Sequence, residues 1–407
     1  MLVIPVHRGK ICPEVCSCES SRTPDLLSKS SENPEIPRVA KDVPNFCSSI
    51  NVPLQIVAEY VKIFSMGIFG LPQPDLMPGA KNAVETCLAV KPGEHVALIA
   101  DEASRAVAAS LSAALADRHA LSTGLLLEDF GPRPMKTAPG AVLEALETAD
   151  VGVMCMTPQP GELGARMAIV RIVERRQIRY AHMVGVTPQI MRQGMRADYN
   201  MVDRLSDKLR DRMLRAQTLT VRTDSGTTID AHFDRGLDWV KTSGLISPRY
   251  WSNLPAGEVF TTPATVDGTF VCDATAGDHF NGKYGDLQST PLTLEIANAR
   301  LVEVHCDRKD LEQEFWEYCH TDENSDRVGE LAFGTNLGLS EMIGILLQDE
   351  KFPGVHIAFG DPYGSQTHAD WKSKTHVDVL TRNCDVWIDS DQIISKGKYQ
   401  LDQLGLT

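Results

Sequence analysis

At 407 residues, with 43% hydrophobic and 23% charged side chains, the chain has room for two globular domains with ordinary soluble composition. A formal net charge of −14 argues against nucleic acid or an anionic membrane as the main partner, since both repel an acidic surface. No apolar run approaches the roughly 18–20 residues of a membrane helix, and the start, MLVIPVHRGK, lacks the apolar core and cleavage site of a secretory signal, so the chain reads as cytoplasmic.

Residues 1–50, rich in Pro, Ser, Glu and Cys, read as a disordered or loosely packed leader. Cys12, Cys16, Cys18 and Cys47 could in principle hold zinc, but C-x3-C-x-C is not a standard zinc spacing, and the leader is read as reduced and metal-free. The other six cysteines are scattered singly, mostly in apolar stretches, as small buried hydrophobes are. Helical spacing begins near Val52.

From about 95 to 216 strand-like and helix-like runs alternate. HVALIA (95–100) is a buried strand, Asp101 a candidate cap for the Ala-rich helix after it. TGLLLEDF, DVGVMCM and YAHMVGV are further strands, with helices at GAVLEALETA and GARMAIVRIVERR between them. Such alternation predicts an α/β domain over 51–216, a parallel sheet flanked by helices. The amphipathic helix over 197–216 closes it.

After it the pattern changes. TLTVRTDSGTTIDAHF reads as a hairpin about Asp224-Ser225-Gly226, and short strands follow at EVFTTP, GTFVCDA, TLEIANARLVEVHC, VHIAFG, THVDV and CDVWID. Helices are predicted only near 307–320 and 338–347. Residues 217–407 are therefore expected to form a mainly antiparallel β (α+β) domain.

The α/β half has no phosphate loop: DEASRAV follows its first strand, with neither G-x-G-x-x-G nor G-x-x-x-x-G-K-[ST]. No G-x-S-x-G elbow is present either. The chemistry concentrates in the second half. In THVDV, His376 and Asp378 are two apart on a strand and project to one face, a ready imidazole–carboxylate pair for a metal. Glu258 lies in NLPAGEVF, Glu330 in GELAFGTN between two glycines, His356 on GVHIAFG, and Tyr363 after Gly360-Asp361-Pro362. Taken singly, each has an ordinary structural explanation, such as a solvated Glu or a hydrogen-bonded core His.

NLPAGEVF, GELAFGTN, LLQDEK, GVHIAFGDPY and H-x-D together resemble the M29 family of metallo-aminopeptidases, the aminopeptidase T group, over roughly 215–390. The resemblance implies six metal ligands, Glu258, Glu330, His356, Tyr363, His376 and Asp378, holding two divalent ions (zinc, cobalt or manganese) in a cleft. Glu258, Glu330 and Tyr363 would also serve catalysis. It implies hydrolysis of an amide bond in a small peptide or amino-acid-like substrate, and a homodimer. The segment THVDVLTRNCDVWID also resembles the 2,5-dihydroxypyridine 5,6-dioxygenases, whose single ferrous ion takes two His and one Asp; Glu330 stands where their other His is expected. That ring-cleaving oxygenase and a non-catalytic binding protein on the same fold are the alternatives.

Overall fold

The computed structural model describes residues 68–406, so the leader over 1–50, its four cysteines and the helix expected from Val52 lie outside the described residues. The run HVALIA forms β1 (His95–Ala100), followed by helix α1 (Arg105–Asp117), β2 (Leu121–Leu126), α2 (Gly140–Thr148), β3 (Val151–Met156), α3 (Leu163–Arg176) and β4 (Arg179–Val184). All pairings among these strands are parallel. Both faces of the sheet are covered: Val96 and Leu98 enter one apolar cluster, Ala97 and Ile99 the other. Burial on both faces is why β1 is apolar at nearly every position instead of alternating.

Asp101 does not cap α1. Ser104 holds the N-cap position, and Asp101 Oδ1 accepts the Ser104 amide at 2.8 Å. The other carboxylate oxygen is drawn to the Thr157 amide at 2.7 Å and to the buried guanidinium of Arg133. The carboxylate is thus shared between the amide of the N-cap residue and a charged partner.

Helix α4 (Tyr199–Met213) is capped by Asp198, whose Oδ1 accepts the amides of Asn200 and Met201 at 3.0 and 3.1 Å. Its Tyr199 and Val202 pack with the parallel sheet, while Leu205, Leu209 and Met213 pack into the β core that follows. One amphipathic helix thus ties the two layers together.

Beyond it run β5 (Thr218–Arg222), β6 (Thr228–His232) and β7 (Val240–Thr242). The short β8 (Ser252–Asn253) returns to pair with β4 in the parallel sheet. The chain continues through β9 (Glu258–Thr261), β10 (Thr265–Cys272), β11 (Leu292–Ala297), β12 (Arg300–His305), helix α5 (Lys309–Tyr318), β13 (Val328–Gly334), β14 (Gly354–Gly360), β15 (His376–Leu380), β16 (Asp385–Ile388), β17 (Asp391–Ser395) and β18 (Lys398–Tyr399). One antiparallel sheet has the order β12-β11-β10-β6-β5-β16-β17-β18, the other β15-β14-β13-β9-β7. The expected architecture, a parallel sheet with helices followed by antiparallel sheets, is what forms. Cys87, Cys155, Cys272, Cys306, Cys319 and Cys384 are all free and buried.

The helix predicted over 338–347 does not form; a single turn, Leu346–Asp349, stands in its place. Asp349 accepts the amides of Ile343 and Gly344, each at 2.8 Å, and Asn336 Oδ1 accepts that of Gly338 at 3.1 Å. Side chains thereby take donors that a helix would use, and Gly344 has φ +74°.

Candidate metal centre

The five-stranded antiparallel sheet explains how residues far apart in sequence meet. Across β13 and β14, Glu330 lies opposite Ala358 and Ala332 opposite His356. Across β14 and β15, Ala358 lies opposite Asp378 and Gly360 opposite His376. Glu258 lies opposite Gly334 at the start of β9. Residues directly opposite each other share a face, so five of the six ligand candidates, all but Tyr363 in the turn after β14, project from one side of the sheet. Among their neighbours on that side Ala332, Ala358, Gly334 and Gly360 are small, while Phe260 and Leu380 flank them. The other side is mostly apolar, with Val259, Leu331, Phe333, Ile357, Phe359, Val377 and Val379 in the β core. Period-two alternation therefore builds a polar floor and its hydrophobic anchor from the same strands.

The donors form two groups, Glu258–Glu330–His356 and Glu330–His376–Asp378, within each of which one atom per residue lies within 4.8 Å of the others. Glu330 belongs to both. Its Oε1 faces His356 Nε2 at 3.9 Å and its Oε2 faces His376 Nε2 at 3.5 Å. Glu258 Oε1 is 3.2 Å from His356 Nε2, and Asp378 Oδ1 is 3.8 Å from His356 Nε2 and 3.5 Å from His376 Nε2.

Two of these buried atoms, His356 Nε2 and Asp378 Oδ2, have no hydrogen-bond partner. Such orphans are costly in a protein interior unless something else satisfies them. The donor set, carboxylates and imidazoles, is the one that zinc, cobalt or manganese takes. On both counts the residues fit a divalent metal.

The turn after β14 orients the rest. Gly360 adopts φ +108°, and a Cβ there would come within 2.1 Å of the Thr375 carbonyl. Only glycine allows that approach. The next carbonyl, of Asp361, accepts from His376 Nδ1 at 2.9 Å, which leaves Nε2 with its lone pair toward Glu330 and Asp378. Asp361 Oδ1 accepts the Tyr363 amide at 3.0 Å. Tyr363 adopts a left-handed backbone, φ +50°, and lays its ring against His376 at 4.5 Å between centroids and against Phe260 at 6.0 Å. A non-glycine residue held there stores strain that the surroundings must offset. His368, the spare imidazole of the same loop, is exposed and 3.3 Å from Asp238.

Sequence patterns did not single out Glu350 and Lys351, yet both are buried in the site. Lys351 Nζ lies 2.7 Å from Glu258 Oε2 and 2.8 Å from Glu350 Oε1. Burial disfavours ionisation of Glu258, but Lys351 and His356 outweigh it and hold its carboxyl below the usual range. Burial likewise opposes the charge on Asp378, and the His376 and His356 rings more than offset it. Glu330 is the reverse case: burial, then the fields of Glu258, Asp378 and Glu350, push it well above its ordinary value. Burial also raises Glu350, against the pull of Lys351. The Tyr363 phenol is held neutral by burial and by Glu330 and Asp378.

A family model described as thermophilic metalloprotease (M29) matches residues 180–392, which is 213 of the 407 residues. Two solved structures share the fold. Wild-type AmpT from Thermus thermophilus matches with a TM-score of 0.57 at 17% identity, over 80% of this chain and 99% of that one. The 2,5-dihydroxypyridine dioxygenase from Pseudomonas putida KT2440 matches with a TM-score of 0.56 at 20% identity, over 80% and 96%. No curated protein sequence matches. At these identities the two solved structures show the fold alone, and it is the family model, matching just over half of the chain, that places it: the chain belongs to the M29 family of metalloproteases.

Proposed function

We propose that the chain is an aminopeptidase-type hydrolase that holds two divalent ions and cleaves an amide bond in a small peptide or amino-acid-like amide. The observation that carries this reading is Glu330, which belongs to both donor groups and turns one oxygen toward each. Glu258 and His356 complete one position, His376 and Asp378 the other. An oxygenase-type site of two His and one Asp is disfavoured because both groups contain Glu330.

Two such ions, when bound, supply Lewis acidity, lowering the pKa of water and polarising a carbonyl. The remaining work falls to side chains. A free amino group at the substrate's end that donates to one of the buried carboxylates would select for exopeptidase cleavage. Tyr363, kept neutral by burial, is a hydrogen-bond donor for the oxygen that becomes negative on the attacked carbonyl. Glu350 belongs to neither donor group, which leaves its carboxylate to take the proton from water and pass it to the leaving amine. His376 is kept in one tautomer by the Asp361 carbonyl.

We place the enzyme in the cytoplasm and, by family resemblance, as a homodimer; a monomeric mass by light scattering would remove the dimer. Among the described residues no helix is long and apolar enough to cross a membrane. The deciding experiment is metal analysis of protein purified without added metal, then assays after chelation and reloading. Two zinc, cobalt or manganese ions per chain with aminopeptidase activity is the expected result. One iron per chain, with oxygen consumed on a dihydroxylated heteroaromatic ring, would overturn it.

A further inference from the structure

The two donor groups differ in one respect that their ligands do not account for. Among the described residues Glu330 and Asp378 form ion pairs only with the two imidazoles, whereas Glu258 is bound directly by the Lys351 ammonium. That ammonium cannot swing away. Its side chain is 1% exposed, its backbone amide donates to the Gln348 carbonyl at 2.9 Å, and its own carbonyl accepts the Asn336 amide at 3.0 Å. The strand beside it is pressed so close that a Cβ on Gly334 would come within 2.7 Å of the Lys351 carbonyl carbon. Lys351 therefore holds Glu258 Oε2 at 2.7 Å and leaves Oε1 alone facing His356.

We propose that Lys351 is a positioning residue that makes the two metal positions unequal: Glu330–His376–Asp378 fills first and tightly, and Glu258–Glu330–His356 is the weaker, exchangeable position. This rests on the two-metal reading above. A fixed ammonium next to one ligand repels a divalent ion in a poorly screened interior, and it restricts Glu258 to one donor oxygen. The second position would then be occupied according to the metal available, and the enzyme would switch between one-ion and two-ion forms.

Cobalt(II) titrated into chelated protein, followed by calorimetry and by visible absorption, tests this without an activity assay. The wild type should bind two ions in steps separated at least tenfold in Kd. Lys351→Gln keeps a neutral donor between the two carboxylates and should tighten the second step at least tenfold, leaving the first unchanged. His376→Ala should remove the tight step and Glu258→Gln the weak one. If melting in chelator shows that Lys351→Gln does not fold, Lys351→Met removes the ammonium with a side chain of similar length, and should give the same tightening. A second step that stays the same or weakens without the ammonium overturns the inference and leaves the two-metal reading intact. One cobalt per wild-type chain overturns that reading, and the inference with it.

Discussion

Glu330→Gln should make the metal-free protein more stable and the metal-loaded protein less stable, a reversal that follows from one side chain. Glu330 is 4% exposed and shares its pocket with Glu258, Asp378 and Glu350, so its carboxyl is held well above the ordinary range by burial and by those charges. A group raised in this way gives its full stability below the unfolded value, near pH 4.3 for Glu. It loses stability as pH rises toward the folded value, at up to about 1.4 kcal/mol per pH unit. Across the pH range above the unfolded value Glu330 alone makes the metal-free protein less stable as pH rises, and Glu350, raised likewise, adds its own slope. Glu258 and Asp378, both lowered, lose their contribution only in more acidic solution and add no slope in this window. The glutamine keeps the shape and removes Glu330's share. Metal acts in the opposite direction: an ion bound at a thousand times its Kd stabilises the wild type by about 4 kcal/mol per site, and a variant without the shared carboxylate should gain less than about 1 kcal/mol. Urea unfolding at pH 5, 6, 7 and 8, in chelator and in saturating cobalt, reads both effects. Identical pH slopes in chelator, or equal stabilisation of both proteins by cobalt, would refute the reasoning.

Three further substitutions probe other parts of the site. Tyr363→Phe removes the neutral donor and should lower kcat about 100-fold, with KM and metal content nearly unchanged; an unaltered kcat would exclude the phenol from the chemistry. Glu350→Gln should lower kcat by roughly 10²–10⁴ with two ions still bound, so loss of an ion in this variant would mean that Glu350 is a ligand. Gly360→Ala forces a Cβ toward the Thr375 carbonyl and a residue other than glycine to φ +108°. It should destabilise the fold by about 3 kcal/mol and displace the Asp361 carbonyl that orients His376, measurable as weaker cobalt binding at that position.

The fold was readable where local pattern and burial agree. HVALIA is apolar at almost every position because Val96 and Leu98 face one core and Ala97 and Ile99 the other. The amphipathic stripe of residues 197–216 was equally plain, since Leu205, Leu209 and Met213 recur at helical spacing. The reading failed where side chains compete with the backbone. Residues 338–347 carry apolar residues at helical spacing, but Asp349 captures two amides of that stretch, a contact that no periodicity contains. Asp101 failed in the same way, because its partner Arg133 lies 32 residues on.

In the site the division follows sequence distance. His376 and Asp378 belong to one strand, so their common face was readable from alternation alone. Glu330 and His356 needed the register of β13 on β14, and the family resemblance stood in for it. Glu350 and Lys351 were invisible, because Asp-Glu-Lys after a helical run reads as a solvated end, whereas all three are buried. Their placement bears on the chemistry. Glu258, Glu330, Glu350 and Asp378 carry four negative charges when ionised and Lys351 one positive, so with neutral imidazoles the pocket stands at −3. Burying that excess unaided is prohibitive, which is why Glu330 and Glu350 hold their protons so firmly in the metal-free chain. One divalent ion leaves the pocket at −1, which would repel the oxygen that becomes negative on an attacked amide. Two leave it at +1, the sign that stabilises that oxygen. The Lys351 charge is what tips the sum: without it, two ions would only neutralise the carboxylates and leave nothing over for the transition state.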